Sequence, residues 1–152
     1  MDGALRVTEQ ARADLLRHAA AAYPREACGL LAGPPAPAPA DCYLPLPNRH
    51  AGAHAFSVDD AAHVRALLAL RRAHRQARAF CHSHPDAPAV PSARDLAGAL
   101  LGGEPAFPGV DHVIVTVNRG QSTDARAWRL RDGAFHAVAL SAAGEVPCSP
   151  RC

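Results

Sequence analysis

The sequence predicts an α/β (α+β) domain, a mixed β-sheet flanked by helices in a three-layer arrangement. Three observations carry this. Two stretches, 7–23 and about 59–76, space their apolar residues at the helical period. Two short apolar runs, 27–32 and 110–117, have strand length and are bounded by Pro or Gly. Near the end, two extended segments flank Arg131-Asp132-Gly133, a strong turn signal. A chain of 152 residues, 49% hydrophobic, suits one domain with a core large enough to need no staples.

The elements follow in order. Val7 to Tyr23 reads as a helix with Thr8 as N-cap, Glu9 in the first turn, and Leu15, Leu16 and Ala19 as its apolar stripe. Pro24 ends it. Ala27 to Ala32 reads as a buried strand. The Pro/Ala alternation of 33–40 is an exposed hairpin connection, too early in the chain to be a domain linker. Cys42 to Leu46 is the returning strand, confined to an edge by Pro45. Phe56-Ser57-Val58 is a short extended piece. Asp59 or Asp60 caps a second helix running to about Gln76, with Val64, Leu67 and Leu68 inward. Ala77 to Cys81 is a strand leading into two histidines. Ser92 opens a short helix through about Leu101, and 102–109 is a Gly/Pro-rich loop. Val110 to Val117 is the most strand-like run, and Ala125–Leu130 with Ala134–Leu140 makes the final hairpin. One domain is expected over 1–140, with a flexible tail over 141–152. No internal repeat is visible.

Composition excludes several classes. Charged residues are 20% and the formal net charge is +2, which gives no reason to expect a nucleic-acid partner. The cluster Arg71, Arg72, Arg75 and Arg78, with His74, reads as one solvated helix face. No segment resembles a signal peptide, and none reaches the ~18 consecutive apolar residues of a membrane span. A cytoplasmic protein with no membrane partner is the expectation. Five cysteines at irregular spacing, without an export signal, argue against a disulfide framework.

Of nine histidines, only His82 and His84 have a spacing that suggests chemistry. Two apart on a strand, they point to the same side and can share a metal ion. Asp95, eleven residues after His84 and in the first turn of a helix, is a candidate third ligand. Two histidines and a carboxylate leave a fourth zinc position open for water, the catalytic type of site. Zinc lowers the pKa of such a water toward ~7. Glu26, beside an apolar strand, is a candidate proton shuttle, because burial raises a carboxyl pKa into the useful range. Each piece has a plainer reading. His-x-His arises on strands without metal. Ser92 and Asp95 also form a capping box, which competes for the Asp95 carboxylate. Glu26 reads equally as a solvated turn residue after Pro24.

The pattern Glu26…His82-x-His84-Pro85…Ser92-x-x-Asp95 resembles the signature of the JAMM/MPN+ zinc metalloprotease family. Pro24-Arg25-Glu26-Ala27-Cys28-Gly29-Leu30 is similar to the family's glutamate-bearing segment. Asn48, Phe56 and the helix from Asp59 resemble its middle segment, and Ala127-Trp128-Arg129 its last strands. The similarity spans roughly 5–140 and is strongest to the compact bacterial branch acting on ubiquitin-like sulfur carriers. The resemblance implies an MPN, cytidine-deaminase-like architecture with one zinc ion per chain on His82, His84 and Asp95. It further implies Glu26 as general base and Ser92 as hydrogen-bond donor to the oxyanion. The implied partner is a ubiquitin-like or sulfur-carrier protein ending in Gly-Gly, cleaved after that terminus.

Three rivals differ in checkable ways. A metal-free MPN scaffold would lack ligands, and none is substituted here. A zinc deaminase needs His-x-Glu and Pro-Cys-x-x-Cys, whereas His84 stands at the glutamate position and Cys148-Ser149-Pro150-Arg151-Cys152 has one residue too many. A Cys81–His82 dyad fails because strand neighbours point to opposite faces.

Overall fold

The computed structural model describes residues 3–50 and 58–143. Strand β1 (Leu5–Thr8) runs directly into helix α1 (Glu9–Ala22). Thr8 is extended and its hydroxyl accepts from the Ala11 amide, so the cap is where the sequence places it. Val7 belongs to β1, because Leu5 and Val7 alternate inward at strand period. Strands β2 (Cys28–Gly33) and β3 (Cys42–Leu46) form the expected hairpin around the Pro/Ala segment, and β3 is an edge strand, which accommodates Pro45.

Helix α2 (Asp60–Arg72) stops before Gln76. His74 takes φ 54°, and strand β4 (Gln76–Pro85) begins two residues later. The basic cluster is therefore not one helix face. Arg75 pairs with Asp41, and Arg78 donates to the Ala38 carbonyl at 2.7 Å, so both fasten the Pro/Ala segment. The inward stripe of α2 is also offset from the expected one. His63 and Leu70 are buried, with Ala66 and Leu67 packed beside them. Val64 and Leu68 are 54% and 46% exposed. Helical period allows either stripe, and a histidine within the buried one conceals it.

The remaining elements are helix α3 (Ala93–Ala99), strands β5 (Leu100–Leu101) and β6 (Glu104–Pro105), and strands β7 (Asp111–Asn118), β8 (Gln121–Arg131), β9 (Ala134–Val138) and β10 (Leu140–Ala143). The third helix ends before Leu101, and part of the 102–109 loop is a tight hairpin turning at Gly102 and Gly103, both at positive φ. The segments β8 and β9 meet at Asp132 and Gly133, also both at positive φ. The described part of the expected tail is not loose. Residues 141–143 lie in β10, paired in parallel with β1, because the buried side of β1 needs a neighbour for its backbone groups. Phe56 and Ser57, and residues 144–152, lie outside the described residues. Among the described residues Cys28 and Cys81 are free thiols, but Cys42 is disulfide-bonded, a bridge that the argument against a disulfide framework does not signal.

The main sheet runs β3-β2-β4-β7-β8-β9 and is mixed: β4 and β7 are parallel and every other neighbour pair is antiparallel. Alternate residues divide between its two faces. Leu31, Cys81, Val113 and Val115 join Leu15 and Ala19 of α1. Leu30, Cys28 and Phe80 join Leu70 and Leu67 of α2. The result is the predicted α+β, helix–sheet–helix layering. Strand β4 sits centrally, with its histidines on the α2 side.

Candidate active site

Strand β4 carries His82 and His84 at its C-terminal end, as the sequence places them, and the strand runs on past them to Pro85. The pairing continues through Pro85 opposite Val117. The ladder to β2 has already ended at Cys28 opposite His82, so the missing Pro85 N–H breaks no ladder bond to β2. Alternation puts both imidazoles on one side, with Nε2 atoms 3.1 Å apart. Both rings are buried, at 3% and 8% exposure.

Asp95 arrives from the other direction. Ser92 is the N-cap of α3 and Asp95 its third residue. The Asp95 amide donates to Ser92 Oγ at 3.1 Å, and the Ser92 amide donates to Asp95 Oδ2 at 2.7 Å. The capping box is therefore real. The same carboxylate lies with Oδ1 3.2 Å from His82 Nε2 and Oδ2 3.1 Å from His84 Nε2. A carboxylate has about four acceptor sites, so cap and ligand roles coexist.

The donor set fits zinc. His84 Nδ1 lies 2.8 Å from the Pro88 carbonyl, which can only accept, so Nδ1 carries a proton and Nε2 is the atom that would present a lone pair to a bound metal. One ligand atom from each of His82, His84 and Asp95 converges within 4.8 Å. Two imidazoles and one carboxylate leave a coordination position open. Burial pushes His82 below its ordinary pKa, which favours a free lone pair. For His84 burial is outweighed by the bonds to Asp95 and Pro88, and its pKa moves up. For Asp95 burial is likewise outweighed, by hydrogen bonds from both histidines, and its carboxyl sits well below the usual range.

Glu26 is brought to the same place from just before β2. Ser83, between the histidines, grips the following residue: the Ala27 amide donates to Ser83 Oγ at 2.8 Å and the Ser83 amide to the Ala27 carbonyl at 3.0 Å. Asn48 Nδ2 donates to the Glu26 carbonyl at 2.7 Å. Glu26 is 7% exposed, so it is not a solvated turn residue. Burial is the main cause raising its pKa to about 7, opposed by His84 and reinforced by Asp95. Glu26, His82, Ser92 and Asp95 line one cavity of about 290 Å³.

Three cavity residues went unnoticed in the sequence. His63 of α2 lies against Phe107, with ring centroids 4.8 Å apart. His112 of β7 stands opposite Phe80, and burial lowers its pKa to about 4. Strand period could have found His112, since it shares a face with Ile114 and Thr116 beside the histidine strand. No spacing rule reaches His63 or Phe107 across separate elements. Cys81 faces the α1 side, fully buried, and burial raises its thiol pKa far above neutrality, which removes the cysteine-nucleophile reading.

A family model described as prokaryotic homologs of the JAB domain matches residues 8–131. A Thermus thermophilus protein named "Probable TtuB-protein conjugate cleaving protease" is 42% identical over 89 residues, covering 58% of this chain and 55% of that protein. This match spans about half of that relative's length. A Mycobacterium tuberculosis protein named "CysO-cysteine peptidase" is 28% identical over 127 residues, covering 81% and 83%. The solved structure of a Salinibacter ruber protein superposes with TM-score 0.66 at 30% identity, covering 95% of this chain and 94% of that one. A JAB1/MPN domain protein from Archaeoglobus fulgidus shares the fold with TM-score 0.54 at 20% identity, covering 89% and 97%. With the family model spanning most of its length, and with His82, His84 and Asp95 grouped so that they could hold a metal ion, this chain belongs to the prokaryotic JAB-domain family.

Proposed function

We propose that the protein is a zinc-dependent peptidase or isopeptidase that hydrolyses the bond after the C-terminal Gly-Gly of a ubiquitin-like or sulfur-carrier protein in the cytoplasm. The observation that carries this is the convergence of His82, His84 and Asp95 beside a buried Glu26 and the Ser92 hydroxyl. The names of the Thermus and mycobacterial relatives support the substrate class.

His82, His84 and Asp95 would hold one zinc ion, which when bound supplies an acidified water and a Lewis acid for the scissile carbonyl. Glu26 takes the proton of the attacking water and returns it to the leaving amine. Its raised pKa matches both halves of that transfer near neutral pH. Ser92 Oγ accepts from the Asp95 amide, which leaves its O–H free to donate to the developing oxyanion. Val58, Phe80, Phe107 and Val110 form the apolar side of the same cavity.

The test is incubation with ubiquitin-like carriers bearing C-terminal extensions, with and without chelator, read by intact mass. Release of the extension at Gly-Gly, lost with chelator, is expected. Stoichiometric zinc without cleavage of any carrier would reject the substrate class. Purification and reconstitution without zinc would leave only a binding scaffold.

A further inference from the structure

The segment Asp86–Pro91 joins the histidine strand to the Ser92 cap, so it sets the distance between the two halves of the ligand cluster. Its sequence, Asp86-Ala87-Pro88-Ala89-Val90-Pro91, carries no polar side-chain atom after Asp86. It cannot hold itself in place, and its anchors come from neighbouring elements. At the start, Asp86 takes φ 52° and its carboxylate accepts from the Tyr23 hydroxyl at 2.6 Å and the Arg119 amide at 2.8 Å. Further on, Thr116 Oγ1 donates to the Ala87 carbonyl at 2.9 Å, and Trp128 Nε1 donates to the Ala89 carbonyl at 3.1 Å. Between these two pinned carbonyls lies Pro88, whose carbonyl accepts the His84 Nδ1 proton.

We propose that Thr116 and Trp128 are positioning residues of the metal site: by holding Ala87 O and Ala89 O they place Pro88 O to fix the His84 tautomer. This rests on the zinc reading above. An imidazole ligand needs its far nitrogen committed to a donor bond, or the proton redistributes to the nitrogen that must bind metal. Thr116 stands directly opposite His84 in the β4–β7 pairing, so its hydroxyl reaches over the ligand's own backbone to the segment beyond. Trp128 does the same one strand further out, three residues before Ser92.

Two readouts test this. Zinc affinity is measured by competition with a chromophoric chelator. The His84 tautomer is read from ring nitrogen-15 shifts of the metal-free protein at alkaline pH, where the ring is neutral. Thr116→Val keeps side-chain shape and removes the hydroxyl. It should weaken zinc binding about 10–100-fold, the cost of losing an outer-sphere partner, and shift His84 from Nδ1–H toward a tautomer mixture. Thr116→Ser should restore both. Trp128→Phe should act in the same direction, and it supplies the answer if Thr116→Val fails to fold. Unchanged affinity and tautomer in both variants would overturn the proposal, as would a loss that Thr116→Ser does not rescue. Failure of the parent protein to bind zinc would instead reject the functional reading, while the tautomer measurement would still decide the role of Thr116.

Discussion

Asp95 meets three hydrogen-bonding demands with one carboxylate: the Ser92 amide and the Nε2 atoms of His82 and His84. Ser92 accepts the Asp95 amide as a cap and, in the proposed mechanism, would also donate to the oxyanion. The two roles of Ser92 can be separated. Ser92→Ala should lower kcat by about 10²–10³ through the lost donor, and destabilise α3 by ~1 kcal/mol through the lost cap. Ser92→Gly costs the cap only about a few tenths of a kcal/mol and leaves no side-chain donor. Stopped assays on both should find near-parent stability with kcat still low in the Gly variant; recovery of kcat there would reduce Ser92 to a cap. Glu26 makes a prediction in the opposite sense. Its pKa is raised from 4.5 to about 7, so the folded chain keeps a proton that the unfolded chain releases. The stability this contributes is complete below pH 4.5 and is lost as pH rises through about 7. Glu26→Gln keeps a neutral side chain at every pH. In metal-free protein it should match the parent near pH 4 and melt roughly 6–10 °C higher at pH 8, because a rise from 4.5 to about 7 is worth ~3 kcal/mol and a domain of this size shifts by about 2–4 °C per kcal/mol. The same variant should bind zinc and lose hydrolysis. Equal melting at both pH values would mean the carboxyl is solvated.

At the scale of elements, β2 explains a residue that the family resemblance only quotes. A Cβ on Gly29 would lie 2.4 Å from the Tyr43 hydroxyl and 2.5 Å from the Leu44 carbonyl. The carbonyl is backbone of the paired strand, and the Tyr43 hydroxyl is bonded to His18 Nδ1 at 2.8 Å, so neither yields cheaply. Gly29→Ala should cost about 1–3 kcal/mol by overpacking, visible in chemical denaturation. It should also lower kcat, because Glu26 enters the site from the start of this strand. Wild-type stability in that variant would mean β2 and β3 can separate locally. The contrast with α2 shows what a sequence discloses. Thr8, Asp59 and Ser92 are legible as caps because capping is local chemistry, and all three accept the amide three residues on. His82, His84 and Asp95 are legible because strand alternation and a cap fix their directions. Which stripe of α2 faces inward is decided by Phe80 and Leu44, far away in sequence, and so Val64 and Leu68 are read on the wrong side. The Pro88 carbonyl anchor is illegible because backbone carbonyls look alike in any sequence, and the Phe107 wall because the His63 ring it meets lies on a separate element.

For the whole molecule, the two ends of the described chain close the structure together. Strand β1 lies between β10 and the Pro/Ala segment: the Leu5 amide donates to the Ala139 carbonyl at 2.8 Å, and the Thr8 amide to the Ala40 carbonyl at 2.8 Å. Leu5 and Val7 are thereby sealed into the core on the α1 face, while the ligand cluster occupies the α2 face. Global stability and metal binding should therefore separate. Leu5→Ala removes a side chain that is 4% exposed, and the transfer and cavity terms together should cost about 2–5 kcal/mol. Its zinc affinity should remain within about twofold of the parent, because the substitution shares no partner with His82, His84 or Asp95. Denaturant titration of the metal-free protein measures the first quantity, and chelator competition the second. If residues 140–143 left the surface of β1 in solution, Leu5 would already be half-hydrated. The same substitution would then cost less than about 1 kcal/mol, at most part of a side chain's transfer energy. A full-sized loss of stability with unaltered zinc affinity is the result that places the closing strand pair in the folded unit and outside the chemistry.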